Sequence, residues 1–84
     1  MVPIQNIKRV RPIEPTPGAN VEYAYAIHLD EGPEPQIVVE YATGGGKHAS
    51  EAHARKTVEP YLDQDELPER LIVDRDGNVR VGDD

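Results

Sequence analysis

From Val21 to Leu29 the chain alternates without a break: Val21, Tyr23, Tyr25, Ile27 and Leu29 point one way, and Glu22, Ala24, Ala26, His28 and Asp30 the other. A period of two is the pattern of a strand with one face on a core and one on solvent. Glu31-Gly32-Pro33-Glu34-Pro35 stops it, and Gln36 to Tyr41 returns with Ile37, Val39 and Tyr41 on the core face. The two runs read as a β-hairpin with a long loop.

After Thr43-Gly44-Gly45-Gly46 the spacing changes, and a helix is expected from about Lys47 to Glu59, built from Ala49, Ala52, Ala54 and Val58. Ser50 followed by Glu51 offers a slightly later cap. Pro60 lacks an amide hydrogen and would clash with the carbonyl of Lys56, so the helix stops there. Arg70 to Asp74 and Asn78 to Val81 form a second hairpin, with Asp76-Gly77 supplying the positive φ of its turn. Residues 1–20 hold Pro3, Pro12, Pro15 and Pro17. An edge strand over roughly Ile4 to Val10 suits them better than a helix, followed by an extended linker from Pro12 to Gly18.

These elements define an α+β fold: a small, mostly antiparallel sheet in the order β-β-α-β-β, with the N-terminal edge strand as an addition and one helix packed on one face. The organisation expected is a basic, proline-rich arm over residues 1–20 and a single domain over residues 21–84. At 84 residues a chain buries only about 60–65% of its unfolded surface, which leaves a thin margin of stability.

Composition removes several functions. The chain has no cysteine, hence no disulfide, thiolate zinc site or thiol nucleophile. No apolar run approaches the roughly 20 residues of a membrane span. Met1 to Pro15 lacks the apolar core of a secretory signal, so a cytoplasmic protein is expected. Net charge is −7, and it is segregated. Lys8, Arg9 and Arg11 outweigh Glu14 in the arm, whereas Glu22, Asp30, Glu31, Glu34 and Glu40 meet no Lys or Arg between residues 21 and 46. Lys47, Arg55 and Lys56 outnumber Glu51 and Glu59, and the C-terminal stretch from Asp63 is strongly acidic. Duplex binders carry the opposite overall sign, because phosphate contacts dominate their affinity.

Few residue constellations suggest chemistry. Gly44-Gly45-Gly46-Lys47 runs into an expected helix start, where free amides and a lysine suit an anion. Gly45, Gly46 and Lys47 are therefore the candidate anion site. It is not a phosphate-binding loop of the Walker A type, since Tyr41 and His48 stand where glycine and Ser/Thr are needed. His28, His48 and His53 do not make a metal set: on one continuous helix, positions 48 and 53 lie about 140° apart. Asp74-x-Asp76-Gly77-Asn78 is hairpin chemistry, because its glycine comes too early for a calcium loop. The acids fall in loops and on solvent faces, and nothing activates Ser50, the only serine. No metal, cofactor or catalytic residue is expected.

The sequence therefore points to a non-enzymatic binding or regulatory module acting through protein–protein contact. Its expected partner is another protein, or a second copy joined through a sheet edge. The alternative is a nucleic-acid or phosphate-ligand binder using Lys8, Arg9 and Arg11 of the arm with Lys47, Arg55 and Lys56 of the helix. A contiguous basic face would favour that alternative.

Overall fold

A computed structural model describes residues 6–64 and 66–82. Five strands form one sheet in chain order: β1 (Arg9–Ile13), β2 (Val21–His28), β3 (Ile37–Ala42), β4 (Arg70–Val73) and β5 (Val79–Val81). All neighbours are antiparallel except β3 and β4, which run parallel. A parallel pair needs a crossover, and helix α1 (Glu51–Val58) supplies it. The α+β architecture expected from the alternation is present, with the N-terminal strand as its fifth member.

That strand lies later than expected. It runs from Arg9 through Pro12 to Ile13, facing His28 through Ala24 of β2. Ile4, where it was expected to start, lies outside the described residues. Pro12 sits inside the strand rather than in a linker, and an edge tolerates it because outward amides have no partner to lose. Residues 9–13 of the basic arm are thus part of the sheet. Residues 14–20 make the connection to β2, which turns at Gly18 with φ +85°.

The helix is shorter than its sequence pattern. Gly46–His48 forms a 3-10 turn, and Ala49 (φ −68°, ψ 118°) and Ser50 (φ −164°, ψ 160°) are extended. Ser50 Oγ then accepts the amide of His53 at 3.0 Å, so α1 begins at Glu51. Pro60 ends it as expected, tightening the chain into a second 3-10 turn, Glu59–Tyr61.

Ala54 and Val58 of α1 pack on Ile27, Ile37, Val39, Tyr41, Leu71 and Val73, all fully buried. Tyr25 meets Tyr41 edge-on with ring centroids 5.8 Å apart and is half-buried. Tyr23 corrects the expected core face, since it is 51% exposed. The eight-residue helix does not reach this end of the sheet, and the Tyr23 ring lies against Gly46, where a Cβ would come within 2.8 Å of it. Gly77 has the positive φ of the second hairpin, +86°. The turn is held by Asp74 rather than Asp76: its carboxylate accepts the amides of Asp76 at 2.9 Å and Asn78 at 3.0 Å.

Candidate functional site

Helix α1 covers one face of the sheet. The strand registers decide what the other face carries. Arg11, Ala26, Val38 and Arg70 form one row across β1 to β4. Ile13, Ala24, Glu40, Ile72 and Arg80 form the next, across all five strands. Arg9 stands opposite His28 at the margin. The result is a floor of small apolar side chains between two banks of arginine, Arg9 and Arg11 on one side and Arg70 and Arg80 on the other.

The alternation in β2 marks Ala24, Ala26 and His28 as solvent-facing, yet all three are buried. Long side chains flank them in the same rows, Arg11 beside Ala26 and Ile13 beside Ala24. Arg11 Nε donates to His28 Nε2 at 3.0 Å, which places the histidine proton on Nδ1, a buried atom with no hydrogen-bond partner among the described residues. Glu40 departs from the expectation that acids lie on loops and solvent faces: it is 5% exposed. Arg70 Nε approaches Glu40 Oε1 to 2.6 Å, a charge contact without the alignment of a hydrogen bond. Gly82 backs this pair, and a Cβ there would sit 2.7 Å from Arg70 Nε. Ile13, Thr16, Val38, Glu40, Glu69, Arg70 and Gly82 line a shallow depression of about 270 Å³ on this face.

The glycine turn makes one internal bond to a carboxylate, at Gly44. Gly44, at φ +93°, donates its amide to Glu22 Oε1 at 2.6 Å. Gly45 is wedged against the ends of β3 and β4, where a Cβ would lie 2.9 Å from the Asp74 carbonyl and 3.1 Å from that of Ala42. Gly46 and Lys47 belong to the 3-10 turn and not to the first turn of α1, so the candidate anion residues Gly45, Gly46 and Lys47 do not lie at a helix N-terminus. The carboxylate beside this turn is the protein's own.

The six bases of the nucleic-acid alternative are not brought together. Arg9 and Arg11 lie on the helix-free face, as Val10 between them is buried in the core. Lys47, Arg55 and Lys56 are exposed on the helix side. Lys8 shares a depression with Arg9, Asp30 and Glu31. Arg70 and Arg80, which complete the helix-free face, were missed because neither stands in a basic run. The signal for them was available in the period-two pattern of the second hairpin.

Two histidines separated on a single helix do meet in the structure. His48 lies in the 3-10 turn before α1, and its ring stacks on His53 with centroids 5.8 Å apart. His53 Nδ1 lies 2.7 Å from the Tyr41 hydroxyl. Burial and the neighbouring Tyr25 push the Tyr41 phenol up to about 12. Burial, then the charges of His48 and Lys56, hold His53 below its usual value. No group of three or more His, Cys, Asp or Glu placed to hold a metal occurs among the described residues. Among the described residues no helix is long and apolar enough to cross a membrane. Comparison with protein-family models, curated proteins and solved structures returns no match.

Proposed function

We propose that this chain is a non-enzymatic binding module that acts by protein–protein contact, with the helix-free face of its sheet as the contact surface. One observation carries the reading: on the face away from α1, Arg9 and Arg80 stand exposed at opposite margins, with Arg11 and Arg70 in the rows between them, in a molecule of net charge −7. Arginine is enriched in protein interfaces, and the charge at the middle of this face, Glu40, is paired with Arg70 within the chain. The face has no aromatic side chain on which a base could stack. Tyr23, Tyr25 and Tyr41 belong to the helix-side rows of β2 and β3, and Tyr61 packs against the core cluster on that side.

The test is affinity capture from native lysate with the intact chain and with Arg9→Glu/Arg80→Glu, each with and without nuclease. Both arginines are exposed, so the double variant is expected to fold. Protein captured by the intact chain, resistant to nuclease and lost with the variant, supports the reading. Capture abolished by nuclease, or a recovered species that is itself nucleic acid, overturns it in favour of the polyanion alternative.

A further inference from the structure

We infer that His48 and His53 form an acid-released latch: neutral rings hold the Gly46–His48 turn against α1 and the second hairpin, and protonated rings let it go. The latch lies on the helix side of the sheet and is independent of the proposed contact face. Its two rings belong to different elements. His48 closes the 3-10 turn and His53 sits in α1, and they stack with centroids 5.8 Å apart and planes 26° from parallel. The edge of the His48 ring also lies over Gly77, where a Cβ would meet Nε2 at 3.5 Å. One ring thus touches both elements against which the turn is held.

Both rings are placed to be neutral. His48 Nε2 is buried with no hydrogen-bond partner among the described residues. A protonated imidazole carries a hydrogen on each nitrogen, so charging His48 buries a donor without an acceptor. His53 Nδ1 lies 2.7 Å from the hydroxyl of Tyr41, a fully buried residue. That hydroxyl keeps its proton far into the alkaline range and donates to a neutral His53. A protonated His53 must itself donate, so the Tyr41 hydroxyl has to reverse inside the core and turn its hydrogen toward Thr57.

The surrounding charges act in the same direction. Lys56 stands one helical turn beyond His53, Lys47 precedes His48, and Arg75 packs on Gly44. The nearby carboxylates are engaged or turned to solvent. Glu22 takes the Gly44 amide, Asp74 takes those of Asp76 and Asn78, and Glu51 and Asp76 are exposed. Behind His53, Tyr41 and Tyr25 supply rings and no carboxylate. The one ion pair among the described residues is Arg70 with Glu40, on the other face. Two imidazolium charges here would meet each other and no compensating anion. With His53 held below its ordinary value, the latch is fully closed above that value and opens as pH falls through the folded one. Opening lifts Gly45 from the ends of β3 and β4, where it is wedged.

The test is site-resolved nuclear magnetic resonance on the full chain from about pH 7.5 to about pH 5, the range in which histidines take up charge. The amides of Gly45, His48 and Ala49 bond to the carbonyls of Ala42, Gly45 and Gly46. They should lose about tenfold in exchange protection after correction for the intrinsic rate, while those of Val39 and Leu71 keep theirs. His53→Gln should retain the protection of all three in acid. His48→Gln should raise the pH at which the His53 ring titrates, because a neighbouring charge is gone. Unchanged protection in the intact chain, an equal loss at Val39 and Leu71, or a loss that persists in His53→Gln overturns the latch. So does a His53 titration that His48→Gln leaves in place. The first two outcomes are read on the intact chain alone, so they decide the matter even where a variant fails to fold.

Discussion

The two faces of this sheet are built from the same alternating strands and solve burial in different ways. On the helix side, Ile27, Ile37, Val39, Tyr41, Leu71 and Val73 exclude water by packing large side chains against α1. On the helix-free side, Ala24, Ala26 and His28 are buried beside arginines, and a carboxylate, Glu40, lies among them. The first face contributes stability through apolar area. The second holds Arg11 and Arg70 by internal contacts to His28 and Glu40 and leaves Arg9 and Arg80 exposed at its margins. Burial alone does not separate a core from a contact surface; what does the burying separates them.

The comparison breaks most visibly at Ile27. Ile27→Ala removes fully buried methyl groups from the helix side and should cost about 2–5 kcal/mol. Urea or thermal unfolding followed by circular dichroism would read it, and an unchanged midpoint would show that the large side chains do not carry the fold. Arg70→Ala probes the other face. It leaves Glu40 buried without its cation, and a cost of about 1–3 kcal/mol is expected. Glu40→Gln/Arg70→Ala should recover most of that loss, because the orphaned charge is gone. No recovery would mean that Arg70 acts by packing alone.

Smaller effects sharpen the boundary between the faces. Ser50→Ala removes the cap that starts α1 and should cost about 1 kcal/mol. Its amide-exchange signature should be confined to the first turn of α1. Spread of that exchange to Ala24 or Ala26 would show that the helix supports the far face as well. pH should act on the helix side through His53 and Tyr41. The unfolded chain protonates His53 near its ordinary value of 6.5, and the folded chain only below that. The stability tied to this ring is therefore complete above 6.5 and declines as pH falls through the folded value. Tyr41 has the opposite sign: its contribution is complete below 10 and is lost as pH rises toward about 12. Stability measured from pH 4 to 12 in His53→Gln and Tyr41→Phe should lose the acidic and alkaline slopes respectively. Slopes that persist in both variants would place the titration elsewhere.

Much of the helix side was legible in the chain, and most of the far side was not. Ile27, Val39 and Val58 follow from period and turn residues alone, since large apolar side chains have one place to go. Tyr23 did not follow, because its burial depends on how far α1 reaches, and that is set by the Ser50 cap. The stacking of His48 on His53 stayed hidden for the same reason: a break in the helix removes the angle that a continuous helix would impose. Arg70 and Arg80 join Arg9 and Arg11 only through register across five strands. Long-range pairing of that kind leaves no mark in a local window. The single parallel pair was hidden too, because alternation does not encode direction.

The strand order has a kinetic consequence. Each strand lies beside its neighbour in sequence, so most pairings close short loops and should form early. The exception is the parallel join of β3 to β4, whose strands are separated in sequence by the whole of α1 and both 3-10 turns. Loop closure is costly there until the helix has formed and shortened the gap. Folding should therefore wait on that one crossover, which sets Val38 beside Arg70 and Tyr41 beside Val73. Changes in α1 that weaken it, Ser50→Ala among them, should slow refolding of the entire sheet, while changes in the β1–β2 connection should mainly speed unfolding.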